Sequence, residues 1–305
     1  MSYLWKLEEY LGDRRRDIIS AGPSLETGSI KVRRTDTGCD GQNVTVRLVV
    51  TGEKIDAACD LINKRYAWRG YGANHRISMD AHHVTFTAEV DDAVVGTITL
   101  ALDSAHGLAA DRAFHDEMNA FRARPGAKVC ELTKFAFDPA VQSKALMATL
   151  FHIVFVYGQR TYGCTDLVIE VNPRHVRFYE AMLGFERVGP LRDNESVGAP
   201  AQLMWLKVDA IRQHIDRAAA GAEGSKGRSL YPLFFSPADE RGIYRRLVDA
   251  TARAQAKASR RPSPMPTSKG DAQNRIRVPR RLRKALPIES VGISERCAEG
   301  SLLPI

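Results

Sequence analysis

Backbone N–H groups left unpaired at the start of a helix can hold the anionic or polar arm of a cofactor. The stretch Lys128–Tyr162, KVCELTKFAFDPAVQSKALMATLFHIVFVYGQRTY, offers such a place. Its first part, Lys128 to Phe137, alternates and is rich in Val, Thr and Phe, which predicts a strand. Asp138-Pro139 breaks that strand, because proline lacks an N–H and pushes the residue before it out of helical geometry. From Val141 to about Gly158, Leu146, Leu150, Ile153, Val154 and Tyr157 recur at helical spacing. A second stretch, Thr165–Phe185, reads TDLVIEVNPRHVRFYEAMLGF. Asp166–Val171 is a buried-strand candidate, and Asn172-Pro173 suits the first turn of a helix. Val176, Tyr179, Met182 and Leu183 make an apolar stripe that Gly184 closes as a C-cap glycine.

Other candidate groups carry weaker signals. Lys64–Asn74, KRYAWRGYGAN, is dense in aromatics and arginines. It reads either as a helix end with solvated arginines and one core tryptophan, or as a flap over a binding pocket. His82 and His83 are adjacent on a strand, so they project to opposite sides and do not share one metal easily. Cys39, Cys59, Cys130, Cys164 and Cys297 are scattered, with no CxxC pair. Reduced thiols and no metal site are expected.

The elements that position these groups follow in order. Residues 1 to 20 predict an amphipathic helix, and Ser20 to Gly41 a connection rich in Gly, Ser, Thr and Asp. Val44 to Val50 predicts a strand and Gly52 to Ala67 a helix. Val84–Val90 and Val94–Leu102, joined by Asp91-Asp92, predict a hairpin. Leu108 to Arg124 is a helical candidate closed by Pro125-Gly126. After Phe185 come a short strand, a polar loop from Arg192 to Ala199 and the strand Gln202–Val208. Helices are expected over Asp209–Ala220 and Pro237–Lys257, the second with Ile243, Leu247 and Val248 inward. Four segments result: 1–43, an N-terminal helix and linker; 44–208, the main domain; 209–257, a helical extension; and 258–305, a tail.

The order Asn172, Phe178-Tyr179, Gly184-Phe185 resembles the closing signature of the GNAT acyltransferases. That resemblance implies an α/β fold, a mixed central sheet flanked by helices, with the pantetheine arm of an acyl thioester between two splayed parallel strands. Glu131-Leu132-Thr133-Lys134-Phe135 resembles the Glu-x-Ser/Thr-Arg-Phe strand of the acyl-homoserine lactone synthases. Asn172-Pro173-Arg174-His175 followed by Phe178-Tyr179 is closer to the FeeM-type long-chain N-acyl amino acid synthases. Lys134 stands where lactone synthases carry arginine, which argues against a lactone product. The resemblance spans roughly Val44 to Val208.

The FeeM likeness implies a fatty acyl group joined from acyl carrier protein to the amine of an amino acid, with no permanently bound cofactor. An ammonium must lose a proton before its nitrogen attacks a thioester, and Glu131 is the candidate base. Backbone N–H groups around Phe135, Ala136 and Phe137 would meet the oxyanion, and Tyr179 would protonate the departing thiolate. A salt-bridged Glu131, and a Tyr179 that only packs and accepts a hydrogen bond from Asn172, are the plainer readings. His175 reads as a helix-surface residue. Gln142, Ser143, Lys144 and Asn172 are expected along the donor's arm. Arg65, Trp68, Arg69, Thr133, Lys134 and Phe178 are expected around the acceptor and acyl group. Phe135, Phe137, Phe151, Phe155 and Phe178 could line an acyl tunnel or simply a core. The turn Pro139–Ala145 lacks the glycines with which CoA-using relatives wrap a diphosphate. It favours acyl-phosphopantetheine on a carrier protein over acyl-CoA. Arg160, Arg174, Arg177 and Lys144 would attract an acidic carrier. The alternatives are a lactone synthase using S-adenosylmethionine, a CoA-dependent acetyltransferase, or a non-catalytic module tethered by its tail.

Composition suits a folded, cytoplasmic protein. The 305 residues are 44% hydrophobic, enough for a buried core. No run approaches the ~20 apolar residues of a membrane span, and the charged N-terminus is unlike a secretory signal. Between Ala258 and Ile305 ten Lys/Arg oppose four acids, so this tail carries +6 of the net +8. Its Pro, Ser and Arg content predicts disorder and an anionic partner.

Overall fold

The computed structural model describes residues 20–22, 29–33, 44–49, 52–141, 144–221 and 229–259. The helix expected over residues 1 to 20, the tail beyond residue 259, and Gln142 and Ser143 lie wholly or almost wholly outside these. Among the described residues nine strands form one sheet: β1 (Ser20–Gly22), β2 (Ser29–Arg33), β3 (Val44–Leu48), β4 (His83–Val90), β5 (Ala93–Leu102), β6 (Val129–Phe137), β7 (Asp166–Val171), β8 (Glu186–Asn194) and β9 (Ala199–Lys207). Their order is β1-β2-β3-β4-β5-β6-β7-β9-β8. Every neighbouring pair is antiparallel except β6–β7. The helices are α1 (Gly52–Trp68), α2 (Asp111–Arg122), α3 (Lys144–Tyr157), α4 (Val176–Leu183), α5 (Val208–Ala219) and α6 (Pro237–Ser259).

Local chemistry explains most of these elements. Asp91 and Asp92 hold φ of 47° and 66°, the left-handed pair that a two-residue hairpin turn requires and aspartate tolerates. Gly184 takes φ 79° at the end of α4, where its N–H bonds back to Glu180. α3 is apolar all round and buried from Ala145 to Tyr157. Such a helix needs cover on every side, and β4 and α6 both touch it.

The two sheet faces differ. On one, α1 packs through Ala58, Leu61 and Ile62 around Ala136, and α2 through Phe114, Met118 and Phe121 against Val129 and Val168. The other face carries α3, α5 and the segment Leu230–Phe235.

Three expectations change. Ser20–Gly41, read as a connection, contributes β1 and β2, which extend the β3 edge through pairs such as Ile30 with Val46. Strands of three and five residues hold only as additions to an existing edge, so their own composition does not announce them. The loop expected from Arg192 is still strand to Asn194, because β8 is an outer strand with little apolar alternation. Val248, expected inward, is 38% exposed, while Ile243 and Leu247 are buried.

Candidate active site

The sheet opens where the chemistry was expected. β6 and β7 pair in parallel from Val129–Asp166 to Leu132–Ile169 and no further, although β6 continues to Phe137 and β7 to Val171. On its other side β6 slips register against β5, between Thr133 opposite Thr99 and Ala136 opposite Thr97. Lys134 sits in this bulge at φ 52°, and its carbonyl accepts from Thr97 Oγ1 at 2.8 Å. A lysine held left-handed costs on the order of 1 kcal/mol or more. The bulge bends β6 away from β7. Thr133, Lys134 and Phe135 are consequently half-buried in an otherwise buried strand.

Glu131 stands just before the opening, on the α1–α2 face, and is 1% exposed. Its Oε2 accepts from the N–H groups of Ala109 at 2.8 Å and Ala110 at 3.3 Å. The turn supplying those groups is clamped by Arg122, which reaches Asp103 at 2.7 and 2.8 Å and Asp111 at 2.6 Å twice. Burial pushes the Glu131 carboxyl up to about 8; Glu170 and Asp111 push the same way, and the two backbone bonds oppose. Glu131 is therefore not the salt-bridged strand carboxylate of the plainer reading.

Sequence reasoning missed Glu170. Glu131 pairs with Val168, so Glu170 lies on the same face, just past the last β6–β7 pair. Burial raises its carboxyl, and Asn194 Nδ2 donates to Oε1. The available signal was a second carboxylate in DLVIEV, at even spacing from the buried Val168. Lys134 is held below the usual lysine range by burial, with Glu131 pulling the other way. Thr133 Oγ1 is buried without a hydrogen-bond partner among the described residues.

Tyr179 stands on α4. Asn172, extended at φ −62° and ψ 139°, caps the turn Pro173–His175 by accepting from the Arg174 N–H at 3.3 Å. Its Nδ2 donates to the Pro200 carbonyl at 3.3 Å. Asn172 is thus a positioning group for the chain leaving β7 and does not bond to Tyr179. The Tyr179 ring lies edge-on to Phe178 at 5.2 Å and to Phe185 at 5.9 Å. Burial raises its phenol above the usual range, with Tyr66 adding and Arg69 opposing. It is a proton donor at neutral pH, and its hydroxyl makes no hydrogen bond among the described residues.

The opposite face holds an apolar cavity of about 30 Å³. Leu132, Phe151, Phe155, Leu167, Tyr231 and Phe234 are among its walls. Phe135 touches it through Phe151, ring centroids 4.9 Å apart. Phe137 instead lies under Gly96, where an added Cβ would come within 2.5 Å of the ring. Phe178 packs on Tyr179 and is not part of the wall.

Residues 57–207 match the family of N-acyl amino acid synthase FeeM. The solved FeeM, an N-acyl amino acid synthase from uncultured soil microbes, is 29% identical over 56% of this chain and 94% of its own, with a TM-score of 0.52. The chain is a GNAT-fold N-acyltransferase. It is similar to the FeeM synthases. The AHL synthase LasI aligns at 14% identity over 55% of this chain and 91% of its own, TM-score 0.41. A putative N-acetyltransferase from Lactobacillus plantarum aligns at 15% over 54% and 98%, TM-score 0.39. No curated protein matches by sequence.

The remaining expected residues of this acyltransferase divide. Trp68, a core residue only in the plainer of its two readings, is 61% exposed, with the Arg65 guanidinium 5.1 Å from its ring centre. The helix ends before it could bury so large a ring. Arg69 is half-buried, and the charges of Arg65 and Arg174 and the phenols of Tyr66 and Tyr71 act on it. His175 is not on the surface: it is half-buried, and burial holds its imidazole down at about 4. Arg160, expected to face a carrier protein, bonds Glu240 at 3.0 Å. Lys144 begins α3 and Ala136 is buried under α1, while Gln142 and Ser143 lie outside the described residues.

Proposed function

We propose that this acyltransferase joins a long-chain fatty acyl group, carried on the phosphopantetheine arm of an acyl carrier protein, to the amine of an amino acid. The observation that carries this reading is the parting of β6 and β7 after Leu132 and Ile169. It opens a route between a face bearing two raised carboxylates and a face bearing an apolar cavity. An alkyl chain would lie on the apolar side, displacing side chains such as Phe151, since about 30 Å³ holds only a few atoms. The acceptor's ammonium would give its proton to Glu131, with Glu170 alongside. The nitrogen then attacks the thioester carbonyl, and backbone N–H groups around Phe135–Phe137 hold the oxyanion. As the tetrahedral centre collapses, the C–S bond breaks, Tyr179 protonates the thiolate, and the nitrogen's second proton passes to the tyrosinate, leaving a neutral amide. Phe178 and Asn172 flank the arm, Thr133 and Lys134 the acceptor, and Arg65 and Trp68 the rim.

A cytoplasmic setting, where acyl carrier protein is found, accords with this reading, and no helix among the described residues is long and apolar enough to cross a membrane. The glycine-free turn at Pro139–Ala145 favours the carrier protein over CoA, and Arg174 and Arg177 are exposed beside the site. The test incubates the purified protein with a mixture of the twenty amino acids and either dodecanoyl carrier protein or dodecanoyl-CoA, and weighs the products. N-dodecanoyl amino acid is expected, with kcat/KM at least about tenfold higher on carrier protein, some 1.4 kcal/mol. The margin should shrink as salt rises. Equal use of CoA would remove the carrier assignment, and absence of any amide product would remove the whole reading.

A further inference from the structure

At the end of α1, Arg69 feels the charges of two other arginines. Arg69 is half-buried, and the charges nearest it include Arg65 and Arg174. Arg174 donates to the Tyr71 hydroxyl at 2.7 Å, a neutral partner, and Arg65 lies over the Trp68 ring. Among the described residues no carboxylate pairs with any of the three. In the same cluster His175 Nε2 is buried and has no hydrogen-bond partner among the described residues. The groups around them are phenols: Tyr71, Tyr66 at 6.0 Å from it, and Tyr179, which feels the charge of Arg69. Burial and mutual repulsion hold Arg69 below its ordinary range. Partly buried like charges are costly unless an anion joins them, and a guanidinium binds carboxylate or phosphate through two parallel hydrogen bonds.

We propose that Arg69, with Arg65, Arg174 and His175, forms an oxyanion site that takes the α-carboxylate of the acceptor. A carboxylate and the phosphate of the donor's arm share this chemistry. The acceptor is assigned because α1 packs on the same sheet face as Glu131 and Glu170, opposite the apolar cavity. The carboxylate would anchor at Arg69 while the amine meets the two glutamates. This rests on the acyl-transfer reading above, but its test can fail separately.

The experiment is calorimetric titration of the full chain, and of Arg69→Gln, Arg69→Lys and Arg174→Gln, with each of the twenty amino acids. The α-amide of every amino acid that binds, inorganic phosphate and phosphopantetheine are titrated beside them. At least one amino acid should bind the natural protein, and its α-amide about tenfold or more weaker. Arg69→Gln and Arg174→Gln should each weaken the acid by about tenfold and leave the amide unchanged, with Arg69→Lys between. Amide binding as tight as the acid would overturn the proposal. So would unaltered binding in folded Arg69→Gln and Arg174→Gln, or an arginine dependence confined to phosphate and phosphopantetheine. Arginine-dependent carboxylate binding without any N-acyl product would sink the acyl-transfer reading and leave this site standing. Acyl transfer to an amino acid unaffected by both substitutions would do the reverse.

Discussion

Glu170 lies two residues beyond Val168, the parallel partner of Glu131, so the two carboxylates share one face of the sheet where β6 and β7 separate. They differ in access: Glu131 is closed in by two backbone N–H groups, whereas Glu170 is half-buried at the opening. Glu170 raises the proton affinity of Glu131, which suits a base that must accept one proton from an ammonium.

If Glu131 is the base, the ionised carboxylate is the active form and kcat should rise with pH through about 8. Glu131→Gln should lower kcat about 10²-fold or more and abolish that rise, with folding retained. Its folded value lies above the ordinary 4.5, so the folded state holds an extra proton between about 4.5 and 8. Stability should therefore fall as pH rises across that window, and fall less in Glu131→Gln. Pre-steady-state acyl transfer and thermal melts at stepped pH read both effects. An unchanged pH–rate profile in the variant would take Glu131 out of the reaction.

Tyr179→Phe should lower turnover at least about tenfold on an ordinary acyl thioester, because the alkyl thiolate then leaves unprotonated. A thiophenyl ester, whose thiolate leaves without help, should be affected little. Comparing the two donors separates proton donation from packing: equal losses on both would mean that Tyr179 only shapes the site.

Phe234 forms part of the cavity wall and comes from outside the region that matches the synthase family, residues 57–207. It stacks on His152 at 4.5 Å and meets Tyr231 at 5.0 Å. Phe234→Ala should lengthen the preferred acyl chain, measured as the product distribution from an equal mixture of donors. Loss of core packing should destabilise the fold by about 3 kcal/mol or less, since the ring is only half-buried.

Glu240 fastens α6 to the body. It accepts from His152 Nε2 at 2.9 Å, from Arg212 at 2.8 and 2.9 Å and from Arg160 at 3.0 Å. The His152 Nδ1 accepts from the Phe235 N–H at 2.8 Å, which leaves the proton on Nε2. Burial alone would raise Glu240, but the bonds from His152 and Arg212 outweigh it and hold the carboxyl at about 2. Burial also holds the His152 imidazole below its ordinary 6.5, despite Glu240. Both groups then favour the unfolded chain as pH falls, His152 below 6.5 and Glu240 between 4.5 and about 2. Glu240→Gln should cost about 1.5–3 kcal/mol, because Arg160 and Arg212 lose charged hydrogen bonds but keep part of their surface in water, and should flatten the acid branch of the melting curve. A variant as stable as the natural protein would show that α6 does not depend on this fastening.

What the sequence determined by itself is local. The strand Asp166–Val171, the break at Asn172-Pro173, the turn at Asp91-Asp92 and the stop at Gly184 follow from periodicity and from residues with special backbone chemistry. The spacing of Asn172, Tyr179 and Phe185 belongs to the same level, and with it the likeness to the synthases. The tertiary structure decided what those groups can do. The carboxyl of Glu131 is raised by burial and by a neighbour on β7, against N–H groups from Ala109 and Ala110, 22 and 21 residues away. The pairing of Glu131 with Glu170 depends on the register of two strands separated by α3. The same holds for β1 and β2, for exposed Trp68, and for His175 drawn in beside Arg69. Side-chain periodicity reports which way a residue faces on its own element. It carries no information about which partner the fold brings to meet it, and proton affinity depends on that partner.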